Sequence, residues 1–186
     1  MEEITFYEEW LSLEKNEFRI LAMLADRGEY IGNLSDICRY FSLTPQTRNR
    51  NALRTSIENL VAKGFISCAI RGRTYHLKAI PKAKEIKVSK SWVRSLALHE
   101  KFSEDVAWEQ VLKVYLWIVI NKEPVVTNEM IAKALNISVS TIGLAKNVLQ
   151  HEYEAIIRRK VSEKIGEDTF RTIGQELEAG VILKYI

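Results

Sequence analysis

The chain has 186 residues, 47% of them apolar and 27% charged, with only 8 glycines and 3 prolines. That composition excludes collagen-like, low-complexity and largely disordered chains, and the length fits one large domain or two small ones. The formal net charge of +3 hides three blocks: residues 1–38 carry −6, residues 39–94 carry +11 with Glu58 and Glu85 as their only acids, and residues 95–186 carry −2. A field that positive over 56 residues draws polyanions to one part of the molecule.

No apolar run reaches the ~18 residues of a membrane span. The longest candidate, Val114 to Ile120, stops at Asn121-Lys122-Glu123, and the opening Met-Glu-Glu-Ile-Thr lacks a signal-peptide pattern. A cytoplasmic protein with no membrane partner is the expectation. Cys38 and Cys68 sit in apolar surroundings and read as small buried hydrophobes in a reducing compartment. His76, His99 and His151 match no zinc spacing, so neither a metal nor another cofactor is expected.

In chain order, the acidic pairs Glu2-Glu3 and Glu8-Glu9 read as a solvated leader. Residues 14–27 place Phe18, Leu21, Ala22, Leu24 and Ala25 at helical spacing, and Gly28 stops the helix. Tyr30-Ile31-Gly32 suits a short strand. Asn33 is placed to cap a brief helix over 34–41 with Leu34, Ile37, Cys38 and Phe41 inward. After the turn Ser42-Leu43-Thr44-Pro45, a longer helix is predicted from Thr47 to Lys63, with Leu53, Ile57, Leu60 and Val61 apolar and Gly64 as a left-handed cap. Phe65 to Ile70 and Thr74 to Ile80 are β-prone runs around Arg71-Gly72-Arg73, a hairpin with a basic tip.

Residues 80–91, with four lysines and a proline, read as a linker. A buried helix is expected over 105–121, with Trp108, Val111, Leu112, Tyr115, Leu116 and Val119 on one broad face. Thr127 then caps a helix carrying Met130, Ile131, Ala134 and Leu135, and another follows from Val139 to His151. Residues 156–165 and 169–173 suit either a second hairpin across Gly166-Glu167-Asp168 or a helix carrying Ile157, Val161 and Ile165. Trp10, Trp92, Trp108 and Trp117 read as core or domain-interface residues.

The stretch Thr44-Pro45-Gln46-Thr47…Leu53…Ile57…Leu60…Lys63-Gly64-Phe65-Ile66 resembles the recognition helix and first wing strand of the winged helix-turn-helix superfamily. The segment Val126 to Ile142, with its Ile-Ala-x-x-Leu-x-Ile-Ser-x-Ser-Thr-Ile layout, resembles a helix-turn-helix core. The implied fold is mostly α with small β-hairpins: two winged-helix-like units in tandem, spanning 1–80 and 92–186 and joined by a basic linker over 81–91.

The resemblance implies a sequence-specific double-stranded DNA-binding protein of the transcription-regulator type. A plasmid or phage replication initiator and a winged-helix protein-interaction adaptor are the alternatives. A recognition helix lies in the major groove with its first residues against base edges. At 100° per residue, Arg48, Asn51 and Thr55 lie opposite the core face of the first candidate helix, with Arg54 on the flank for a phosphate and Gln46 and Thr47 at its start. Arg50 falls nearer the core side. Arg pairs bidentately with guanine and Asn with adenine, and Arg71 and Arg73 on the wing suit phosphate or the minor groove. In the second unit the corresponding face presents Ser140, Gly143, Lys146, Asn147 and Gln150, with Arg158 and Arg159 as phosphate contacts. The partners this reading admits are double-stranded DNA and a second copy of the chain. Phosphate-cradling loops, nucleophile elbows and paired metal motifs are missing from the sequence, so enzymatic activity is not expected.

Overall fold

The computed structural model describes residues 2–99, 102, 106–121, 123–165 and 170–179. The chain divides into two compact units, Ile4–Lys87 and Met1–Glu3 with Val88–Ile186, here the N-terminal and C-terminal units.

In the N-terminal unit, helix α1 (Lys15–Arg27) starts where Glu17 reaches back to the Glu14 amide, and it ends at Gly28, whose φ of +80° suits a residue without a Cβ. Strand β2 (Glu29–Gly32) leads to Asn33, whose side chain accepts the Asp36 amide and caps helix α2 (Leu34–Tyr40). Helix α3 (Thr47–Ala62) ends in a Schellman turn: Gly64 N–H donates to Val61 O and Phe65 N–H to Leu60 O. Strands β3 (Ile66–Arg71) and β4 (Thr74–Ala79) form a hairpin across Gly72-Arg73, with Gly72 at φ +61°. The sheet order is β2-β4-β3, all antiparallel, with Leu77 opposite both Tyr30 and Cys68.

Strand β1 (Glu3–Tyr7) pairs with β5 (Glu85–Ser89) in a separate two-stranded sheet. The glutamates expected as a solvated leader do stay at the surface, but Ile4, Phe6, Tyr7 and Trp10 among them are part of the core. Phe6 is fully buried, stacks on Phe18 at 6.0 Å between ring centroids, and meets Trp10 edge-on at the same distance. Each such large side chain removed from water is worth about 1.5–3 kcal/mol. The same pairing explains why residues 81–91 are not a bare linker.

The C-terminal unit contains α4 (Lys90–Ala97), α5 (Trp108–Ile120), α6 (Asn128–Leu135) and α7 (Val139–His151). Thr127 caps α6 through the Met130 amide, and Ser138 caps α7 through the Thr141 amide. Between them, Asn136 takes the left-handed conformation at φ +53°. Trp92 is fully buried, 4.6 Å from the Tyr115 ring and 6.1 Å from Tyr153.

Strands β6 (Ile156–Lys164) and β7 (Phe170–Ala179) form a long antiparallel hairpin, so residues 156–165 take the strand alternative rather than the helical one. The turn expected across Gly166-Glu167-Asp168 lies outside the described residues. Gln175 of β7 exchanges two backbone bonds of 2.8 Å with Val126. That close approach requires Gly174, where a Cβ would sit 2.6 Å from Val125 Cγ1 and 2.9 Å from Val126 O.

The expectation of a mostly α fold is corrected. Helix accounts for about 49% and strand for about 28% of the described residues, in seven helices and three small sheets, so the protein is an α/β mix. The excess strand comes from the β1–β5 pairing, which joins segments almost eighty residues apart, and from a β6–β7 hairpin that runs on to Ala179.

Candidate nucleic-acid interface

Helix α3 is amphipathic in the plain sense: Leu53, Ile57 and Leu60 are buried, and the residues between them are largely exposed. Its C-terminal end is tied to α1 by Lys63, whose Nζ donates to both carboxylate oxygens of the buried Glu17 at 2.9 Å. Its N-terminal half is left facing outward, where Gln46 is the exposed residue preceding the helix and Arg48, Asn51, Arg54 and Thr55 are all exposed.

The exposed residues divide between two stripes. Thr47, Arg50, Asn51 and Arg54, at i, i+3, i+4 and i+7, line a cleft of about 660 Å³ that also takes in Arg39 of α2 and Arg73 of the β3–β4 turn. Arg48 and Thr55 stand on the outer surface beside it and do not line it, and neither does Arg71 at the end of β3. The sequence reading grouped Arg48, Asn51 and Thr55. The structure keeps all three exposed and adds Arg39 and Arg50, which sequence reasoning did not count as contacts. The 47-50-51-54 spacing was visible in the sequence; the position of the hairpin turn, which selects that stripe, was not.

The electrostatics of this region are one-sided. The N-terminal unit has 14 basic and 9 acidic side chains, a net of +5. Several of the acids are engaged away from the cleft: Glu17 by Lys63, Glu8 by Lys84, and Glu29 by His76 and Lys78. The hydrogen bond from His76, followed by that from Lys78, holds the Glu29 carboxyl below its ordinary value. Asp36 pairs with Arg39 at 2.7 Å. Among the described residues, Arg48, Arg54, Arg71 and Arg73 have no ion pair or hydrogen bond, and Arg50 has only the Thr47 hydroxyl at 3.3 Å. On the buried side of α2, Cys38 is fully buried and its thiol is pushed up by that burial.

In the C-terminal unit the expected contact face is largely turned inward. Ser140 is exposed, but Lys146 is only 2% exposed and donates to Gln175 Oε1 at 2.5 Å. Arg158 of β6 donates to Asn147 at 3.0 Å and to Gln150. Arg159 is exposed and lies 3.5 Å from Glu176 and 4.0 Å from Glu178 of β7. The placement of Lys146 on an outer face is thereby corrected: the β6–β7 hairpin covers that side of α7. Burial, and then the Arg158 charge, push the Lys146 ammonium down to about 8 against a weaker opposing pull from Glu129. An added Cβ at Gly143 would make only an ordinary van der Waals contact, with Asn128 Nδ2 at 3.8 Å.

No family model matches the chain, and a search of curated proteins finds no significant similarity. No helix among the described residues is long and apolar enough to cross a membrane. None of their His, Cys, Asp and Glu side chains cluster in threes that could hold a metal ion.

Proposed function

We propose that this protein binds double-stranded DNA sequence-specifically through its N-terminal unit, as a cytoplasmic transcription regulator with the winged helix-turn-helix arrangement that the sequence resembles. In this reading α3 is the recognition helix in the major groove and the β3–β4 hairpin is the wing. The observation that carries it is the set of exposed arginines at the start of α3 and at the hairpin turn that lack carboxylate partners. Exposed, unpaired guanidinium groups are what phosphate neutralisation needs, and it supplies most of the affinity. Asn51 and Arg48, near the helix start, are the side chains suited to base edges.

The C-terminal unit lends less to the contact, because Lys146, Asn147 and Arg158 are engaged within it. Packing, or pairing with a second copy of the chain, suits it better. A replication initiator would use the same physics and differ in having tandem direct repeats as its target, where a regulator has a palindrome.

The test is fluorescence anisotropy on a labelled duplex at several salt concentrations. Binding should weaken with a log–log slope of about −0.9 for each phosphate contacted. If no duplex binds even at low salt, the charged face is merely solvated and the adaptor reading takes its place.

A further inference from the structure

We infer that the arginine-lined cleft of the N-terminal unit is also the binding site for a small ligand with two adjacent phosphoryl groups, a nucleoside diphosphate or triphosphate. Such a ligand competes there with duplex DNA. Occupancy of the cleft stands by itself; the competition rests on the DNA-binding reading.

Three features point to a compact polyanion. The first is size: about 660 Å³ is far more than a lone phosphate fills, and it falls within the roughly 300–1,000 Å³ of small-molecule sites. The second is convergence, since Arg39, Arg50, Arg54 and Arg73 reach one concavity from α2, α3 and the hairpin turn, and no carboxylate lines it. Planar guanidinium groups take phosphoryl oxygens two at a time, and four of them exceed what a single backbone phosphate uses.

The third is preorganisation. Asp36 accepts Arg39 Nη1 at 2.7 Å through one oxygen and Asn33 Nδ2 at 2.7 Å through the other. The Arg39 fork is thus held at the rim while its remaining N–H groups stay available. Arg50 is similarly steadied by Thr47. Asn51 and Tyr75 add a neutral amide and an aromatic ring to the lining, groups suited to a sugar and base rather than to more phosphate.

The experiment is isothermal titration and thermal melting of the full chain with ADP, inorganic pyrophosphate, adenosine and sulfate at matched ionic strength. A duplex-displacement titration by ADP accompanies it. ADP at a hundredfold excess over its Kd should raise Tm by about 5–10 °C. It should also displace the duplex with an inhibition constant equal to its directly measured Kd. Arg39→Ala combined with Arg73→Ala, both exposed positions, should weaken ADP at least tenfold while the unliganded Tm stays nearly unchanged.

An ADP effect no larger than that of sulfate would overturn the site, since ordinary ionic screening would account for it. Equal affinity for ADP and pyrophosphate would overturn the nucleotide as ligand and leave a free diphosphate. Duplex binding without ADP binding sinks this inference and leaves the DNA-binding reading standing. ADP binding without duplex binding does the reverse.

Discussion

Lys63 grips both carboxylate oxygens of Glu17 at 2.9 Å, although Glu17 is 1% exposed and Lys63 lies nearly half in solvent. The contact joins the end of α3 to the start of α1, so it sets the direction in which the candidate recognition helix leaves the unit. Each charge also sits at the helix end that its sign favours. Lys63→Met removes the partner of a buried carboxylate and should destabilise the N-terminal unit by about 2 kcal/mol, below the full cost of breaking a buried pair because Lys63 is half solvated. Urea denaturation measures it. The added change Glu17→Leu should restore most of the loss, less the α1 cap that Glu17 also supplies, and no recovery at all would mean that the charge is not the cause.

The phosphate and base contacts proposed for α3 and the hairpin turn make separable predictions. Arg54→Ala with Arg73→Ala should lower duplex affinity most at low salt and reduce the salt slope by about 0.9 per lost contact. Arg48→Ala with Asn51→Ala should mainly erode preference between a selected site and random DNA, by roughly 1–3 kcal/mol per base contact. An identical response to the two pairs would show that α3 does not dock as proposed.

Lys146 gives a pH signature in the C-terminal unit. Its native value of about 8 lies below the ordinary 10.5, so the folded state disfavours its charge. The facing groups are Gln175 on β7, Arg158 on β6 and Glu129 on α6. The penalty is complete below about pH 8 and vanishes as pH rises past the unfolded value, so stability gains with pH across that window. Lys146→Met should be more stable than the parent at pH 7 by about 2 kcal/mol, and the difference should shrink steadily toward pH 10.5. Parallel chemical denaturation of both proteins isolates this group from the other lysines and tyrosines.

Two glycines should respond with opposite sign. Gly174→Ala drives a methyl into Val125 and the Val126 carbonyl, and should cost about 2–3 kcal/mol. Faster amide exchange at Val126 and Gln175 would locate the damage. Gly143→Ala meets nothing closer than 3.8 Å in the middle of α7 and should stabilise by about 1 kcal/mol.

These cases also show what local pattern carries and what it does not. Asn33 and Thr127 were legible as caps because a cap is a property of four consecutive residues, and Gly64 as a helix end for the same reason. Leu53, Ile57 and Leu60 were legible as core because periodicity alone selects them. Lys146 was misplaced because a helical wheel knows only one covered side, and here a hairpin formed more than nine residues later covers another. Arg39 and Arg50 were passed over because a cleft between α2, α3 and a turn is a tertiary object. The strand at Glu3–Tyr7 did carry a signal, Ile4-Thr5-Phe6, which the flanking glutamates obscured.

The β1–β5 pairing also bears on how the chain is made. Strand β1 leaves the ribosome almost eighty residues before its partner at Glu85–Ser89. At roughly 5–20 residues per second, Phe6 waits about 4–16 s with its edge unpaired. Through that interval the nascent chain carries an exposed apolar strand, the kind of surface that makes a partly synthesised chain prone to aggregation.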